Sequence, residues 1–477
     1  MRYIQITAIS LLIALSACSS APSAPKQSLA SVPTEWSDGP WREAHPSDAT
    51  NRGHWWYVFH DSVLNDLETK ATAQNLNLQV AAARVKQAKA LAANADSAFM
   101  PLITANPIAT RSRNSANRPA LTPNVAPVST TLNDFVPSAS VRWETDLSGR
   151  LSSTLEAAQA ASGQIEADQE SLKLLVTANL ASNYFSLRAL DADIAWQTRM
   201  LQLEKEVIGL LRRRILLGQA SAYDLNPAQA ALEVTQVQIA TLRGQRDPLL
   251  MAIAVLVNTN PQNFELPVGA LPEQIPSPNA GVPSDLLERR PDIASAERAV
   301  AQASAQIGIA NSARYPSLTL GASVGAESSV LNTLVNAPSL IWSLGLNLSQ
   351  ILLDGGRTES SVAAAKSAHE ASVANYRATV LSSMAEVETT LKATRTLNET
   401  IQQQDALLKT EREQIDLLRK KQTDGMGTRY DMVIAEQSLI QAERTRTQLK
   451  GQQVLATVYL IKALGGGWVS AQITRKE

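Results

Sequence analysis

The chain is built twice. Gly149-Arg150 recurs as Gly356-Arg357 and Tyr223-Asp224 recurs as Tyr430-Asp431, both at a spacing of 207 residues with no slip between them. Upstream, "AAARVKQAKALAANADSAFMP" at 81–101 aligns with "AERAVAQASAQIGIANSARYP" at 296–316 at a spacing of 215. The first copy is therefore eight residues longer between its helix and its Gly-Arg. Insertions collect in exposed loops, and the Pro/Asn/Thr-rich run "SRNSANRPALTPNVAPVSTTLND" is the candidate. A tandem repeat restricts the chain to architectures in which matching elements occupy matching places.

Each copy reads helix, strand, loop, strand, long helix, turn, helix. In the first long helix Leu180, Leu187, Ile194, Leu201, Ile208 and Ile215 recur every seven residues. The same stripe in the second copy is Val387, Thr394, Ile401, Leu408, Ile415 and Gln422. A strict seven-residue period averages 3.5 residues per turn, so these helices supercoil left-handedly on their neighbours. Trp196, Leu203, Leu210 and Leu217 form a second stripe, which suits a helix packed on both flanks. A continuous helix over 154–216 measures roughly 90 Å at 1.5 Å per residue.

The strands have two clean faces. In "SLIWSLGLNLSQILLDGGR" every even position from Trp342 to Leu348 is Trp or Leu, and every odd one is Ser, Gly or Asn. "SLTLGASVGA" alternates Leu318, Leu320, Ala322 and Val324 with Thr319, Gly321 and Ser323. The first copy offers "VPSASVRWETDL", which alternates fairly well, and "PLITANPIATR", which is the poorest because Pro107 interrupts it and Pro belongs on an edge or a bulge. Tilted strands of about 9–11 residues cross the hydrocarbon core of a bilayer. Trp143 and Trp342 suit the interfacial aromatic girdle. No later segment holds about 18 uninterrupted apolar residues, so a spanning helix is not expected.

Four strands cannot close a barrel, and open edges in lipid cost several kcal/mol per unpaired group. The chains must pool strands, and three copies supply about 12, within the known even-numbered range. The expected fold is therefore mainly α with a transmembrane β contribution. It is a trimeric 12-stranded β-barrel plus a 12-helix coiled-coil α-barrel, with two structural repeats per chain.

At the N-terminus one Arg, an apolar run and small residues give the layout of an export signal. Leu15-Ser16-Ala17-Cys18 resembles the bacterial lipoprotein box, which implies cleavage before Cys18 and a covalent lipid (palmitate) on it. Ser19 in place of Asp then favours the outer membrane. Several acyl chains hold a protein on a membrane where one would not. The expected divisions are a signal peptide at 1–17, an acylated tether at 18–40, a first repeat at 41–280, a second at 281–467 and a tail at 468–477. Within them lie strands at 101–111, 136–147, 317–326 and 341–352, and helical hairpins at 150–258 and 357–465.

Composition excludes several classes. A net charge of −1 gives no global field for nucleic acid. One cysteine permits no internal disulfide, and His45, His54, His60 and His369 show no metal-ligand spacing. No P-loop or nucleophile motif is present, so neither an enzyme nor a cofactor beyond the lipid is expected.

"WWYVFHDSVLNDLETKATAQN" (55–75), "RRPDIASAERAVAQASAQIGIANSARYPSLTLGASVG" (289–325), "LLDGGR" (352–357) and "GMGTRYDMVIAEQ" (425–437) resemble the TolC-like outer-membrane efflux proteins, in the acylated OprM/NodT-type lipoprotein branch. The resemblance implies a homotrimeric exit duct in the cell outer membrane that extends into the periplasm. It passively conducts small molecules, and its partners are a periplasmic adaptor (membrane fusion protein) and an inner-membrane pump of RND type. It implies hairpin tips that meet the adaptor, here Gly218, Ser221 and Asp224 in one and Gly425, Gly427 and Thr428 in the other. It also implies a periplasmic aperture just past the second tip, at Asp431, with Arg429 as an ion-pairing partner. Ile434, one turn on, is apolar where some relatives carry a second acid. The competing reading, a lipid-anchored periplasmic coiled-coil adaptor, calls for one hairpin between two Gly/Val-rich half-domains, whereas this chain has two hairpins.

Overall fold

The computed structural model describes residues 54–117, 129–276 and 289–466, together with a pair of two-residue strands at Glu35–Trp36 and Gly39–Pro40. The expected signal peptide, Cys18, most of the tether, the junction near 280 and the C-terminal tail lie outside the described residues. A short 3₁₀ turn at Trp55–Phe59 leads into α1 (Ser62–Gln74) and α2 (Leu76–Ser97). Then follow β1 (Leu102–Arg113), β2 (Thr131–Thr145), α3 (Arg150–Leu216) and α4 (Ala222–Leu256). The second copy supplies α5 (Pro291–Ser312), β3 (Ser317–Ala326), β4 (Leu340–Ser349), α6 (Arg357–Thr423) and α7 (Arg429–Ala463).

The repeat is most exact in the hairpins. Helices α3 and α6 are both 67 residues long, and α4 and α7 are both 35. Each long helix begins on an acid. Asp146 accepts from the Leu151 and Ser152 amides, both at 2.8 Å, and Asp354 accepts from the Thr358 amide at 2.8 Å. These are N-terminal amides that the helix itself leaves unpaired. Gly149 and Gly356, at φ 70° and 87°, make the turn that delivers the acid.

Two compact units result, and neither coincides with a repeat. Among the described residues one comprises 85–117, 129–164 and 296–376, and the other 54–84, 165–276, 289–295 and 377–466. The expected division into consecutive repeats is thus a division of topology and not of packing. A 67-residue helix, about 100 Å long, gives its first turns to one unit and the remainder to the other.

The second unit holds the main core. Trp55, Trp56, Phe59 and Leu64 pack with Leu180, Tyr184, Phe185 and Leu187 of α3, Ile253 of α4 and Val458 of α7. Leu180, Leu187 and Val387 of the seven-residue stripe are fully buried. Beside this core Asp191 is the hub of a buried ionic cluster. It accepts from Arg246 Nε at 2.8 Å, from Arg188 Nη1 at 3.4 Å and from the Gly269 amide at 3.3 Å. The two arginines in turn donate to the carbonyls of Pro267 (2.6 Å) and Leu266 (2.9 Å). They thereby pin the segment that leaves α4, and a Cβ at Gly269 would stand 2.6 Å from the Arg188 guanidinium carbon.

Candidate functional site

The sheet is an antiparallel meander in the order β1-β2-β3-β4. Its register is unbroken from Leu102↔Arg142 to Arg113↔Thr131 and from Ser317↔Ser349 to Ala326↔Leu340. Strands β1 and β2 are 12 and 15 residues long against 10 each for β3 and β4, so the extra length of the first copy goes partly into strands. β2 starts five residues ahead of the expected 136, and β4 ends at Ser349, short of the expected 352. Ile351, Leu352 and Leu353 follow it as exposed irregular backbone.

Cross-strand neighbours share a face. One face therefore carries Leu340, Trp342, Leu344, Leu346 and Leu348 with Val324, Leu320, Val141 and Trp143. The five β4 residues are each 60–79% exposed, a continuous apolar strip with none of the described residues over it. The opposite face carries Thr104, Ser140, Ser323, Ser343 and Asn347, and hydroxyls pair across strands at 2.7 Å (Thr104–Ser140) and 2.8 Å (Ser323–Ser343).

Among the described residues both outer edges are open. Phe135 and Ser328 exchange both backbone hydrogen bonds, and the Glu327 amide donates to Ser339 O at 2.8 Å. In an antiparallel ladder such pairs alternate. The polar backbone groups of Ile103, Ala105, Pro107 and Ala109 on β1 therefore point off the sheet, as do those of the even residues of β4. Pro107 faces the free edge, where its missing N–H breaks no bond within the chain.

The hairpin tips form a second locality, within the helical unit. Gly218 (φ 71°) and Gly425 (φ 74°) close α3 and α6. The Gln219 amide donates to Arg214 O and the Met426 amide to Lys421 O, the Schellman pattern. Ser221 and Thr428 then cap α4 and α7 in capping boxes with Asp224 and Asp431. Gly427 packs tightly, since a Cβ there would meet the Gln422 amide nitrogen at 3.2 Å. Five of the tip residues expected from sequence, Gly218, Ser221, Asp224, Gly425 and Thr428, are thus turn and cap residues.

Asp431 and Arg429 do not pair with each other. Asp431 Oδ2 accepts from Thr428 Oγ1 at 2.6 Å, and this bond, with the nearby charge of Arg214, holds its carboxyl below the usual carboxylate range. Arg429 spans two other acids. Its Nε and Nη2 donate to Glu206 of α3 at 2.7 and 2.9 Å, and its Nη1 donates to Glu436 at 3.1 Å. The Arg429 hydrogen bond lowers the Glu206 pKa, and the paired acids raise that of Arg429. Glu206 and Glu436 were not singled out from sequence, because Glu206 lies 223 residues from its partner. Tyr430 stacks under the Arg214 guanidinium at 5.4 Å and packs with Val207, Leu211 and Val433.

Among the described residues no helix is long and apolar enough to cross a membrane, and no group of three or more His, Cys, Asp and Glu is placed to hold a metal. A two-faced sheet with both edges open, grown between tandem helical hairpins, defines a class of chain that completes itself only beside further strands. The chain belongs to the outer membrane efflux protein family, whose family model matches residues 67–259 and 282–466. It is similar to the pyoverdine export outer membrane protein OpmQ of Pseudomonas aeruginosa, 27% identical over 478 residues, covering 99% of each chain. It is also similar to the cation efflux system protein CusC of Escherichia coli, 26% identical over 334 residues, covering 69% of this chain and 70% of CusC. Among solved structures it resembles the outer-membrane channel OprN, with a TM-score of 0.81, 24% identity, and coverage of 93% of this chain and 99% of that one. This family membership replaces the adaptor reading.

Proposed function

We propose that the chain is one of three that share an outer-membrane exit duct of a tripartite efflux system. The four strands are its share of a 12-stranded barrel, and the two helical hairpins its share of the periplasmic part. One observation carries the reading: a sheet with one apolar and one polar face whose two outermost strands present unpaired backbone. In hydrocarbon such edges must be joined to those of other copies. The duct needs no cofactor, and a covalent lipid on Cys18 tethers it to the membrane.

Its partners are a periplasmic adaptor at the tips Gly218–Asp224 and Gly425–Thr428 and, through it, an inner-membrane pump of RND type. Asp431 and Arg429 border the periplasmic aperture, with Arg429 tying it shut through Glu206. The main selection of cargo sits upstream of the duct. In support, relatives about equally similar to this chain bear names for pyoverdine export and for cation efflux. The test is conductance of the purified protein in planar bilayers. Discrete single-channel steps support the duct, and stable insertion without any steps contradicts it.

A further inference from the structure

The polar face of the sheet carries an unbalanced cation. Arg142 lies on β2 opposite Leu102 of β1 and Gly321 of β3, on the face that bears Ser140, Ser323 and Ser343. It is exposed, and among the described residues it has no hydrogen-bonding or ion-pairing partner. The acid two residues on is already neutralised, because Arg150 grips Glu144 with Nε–Oε1 at 3.0 Å and Nη2–Oε2 at 2.9 Å. The next acid on that face of β2, Asp134, is eight residues away. At about 3.3 Å per residue that is roughly 26 Å, more than three Debye lengths at physiological salt. Toward β3 and β4 the row across from Arg142 is empty of side chains, because Gly321 pairs with Gly345 and a Cβ at Gly345 would meet nothing within 4 Å.

The geometry points to Arg142 as an anion-accepting residue of the lumen. In the trimer, three guanidinium groups at one level form a collar that concentrates solutes bearing carboxylate, phosphate or sulfate groups. The inference rests on the barrel reading, which makes the polar face the inner one. Charged rings over a low-dielectric wall focus field, and rings of Arg or Lys favour anions. Glycine at 321 and 345 leaves the collar open to a ligand larger than a single ion.

The test reads the potential chemically, independently of any aperture at the tips. Gly345→Cys is made in the full-length protein, with and without Arg142→Ala, and the wild-type chain serves as blank. Outer-membrane vesicles are treated with an anionic (sulfonatoethyl) and a cationic (trimethylammonioethyl) methanethiosulfonate at 10 mM salt. Residue 345 sits two strands, about 10 Å, from Arg142. The anionic-to-cationic rate ratio is expected to fall about threefold on Arg142→Ala, to be kept by Arg142→Lys and to shrink as salt rises. An unchanged ratio, with both reagents reacting at residue 345, overturns the assignment. Leu344→Cys tests the barrel reading separately: equal labelling at 344 and 345 removes the lumen itself, and with it the collar.

Discussion

Arg429 clamps Glu206 from 223 residues further along the chain, through Nε–Oε1 at 2.7 Å and Nη2–Oε2 at 2.9 Å. It thereby links the start of α7 to the last third of α3. Both side chains are somewhat more than one-third exposed, so each pair is worth about 0–1 kcal/mol. Replacing Glu206 with Gln or Arg429 with Ala is predicted to raise the open population of the duct by up to about fivefold per broken pair, read as single-channel open probability. The acid sets the pH dependence. Its folded pKa is lowered, so the clamp is complete above the ordinary Glu value of 4.5 and is lost as pH falls through the depressed value. Open probability therefore rises on acidification below about pH 4.5, and Glu206→Gln abolishes that rise.

Asp191 is the member of the buried cluster whose loss costs most. Its side chain is 1% exposed, and without it Arg188, itself 3% exposed, keeps its charge with no carboxylate. Breaking a buried pair from one side costs about 3–5 kcal/mol. Asp191→Ala is expected to lower the thermal midpoint by several degrees or to prevent folding. Asp191→Glu, which restores the charge, recovers part of that loss.

Glu68 has the opposite sign. It is fully buried beside the Trp56 core, and among the described residues neither carboxyl oxygen has a partner. Burial pushes its pKa well above the ordinary 4.5, so the folded chain holds a proton that the unfolded chain releases. Its contribution is complete below 4.5 and declines as pH rises toward the folded-state value. Glu68→Gln is predicted to flatten that slope above pH 4.5. Glu68→Met, which removes the orphaned oxygens, should stabilise by about 1–3 kcal/mol in thermal or denaturant unfolding.

Cys18 is predicted to take up labelled palmitate in growing cells. Cys18→Ser abolishes the label. Because the strands and not the acyl chains span the bilayer, the Cys18→Ser protein should still fractionate with outer membranes, which washing with high salt checks.

Periodic features were legible in the sequence and paired ones were not. Leu180, Leu187 and Val387 announced a buried stripe because a seven-residue period survives in one dimension. The capping boxes at Ser221–Asp224 and Thr428–Asp431 are local patterns that the reading of the sequence passed over, taking these residues for tip and aperture positions. Strand β1 read poorly because Pro107 is penalised in any strand. Only the ladder phase, which turns its missing N–H to the free edge, shows why it is tolerated. The Arg429 pairing with Glu206 was out of reach, since nothing local joins residues so far apart. The repeats were visible but the compact units were not, because a helix longer than one core belongs to two.

The central claim is that three copies close one barrel, and native mass spectrometry of the detergent-solubilised, full-length protein measures it directly. The account predicts a species of three acylated chains that survives until the detergent is stripped. A predominant single chain, with the β1 and β4 edges unpaired, would contradict it.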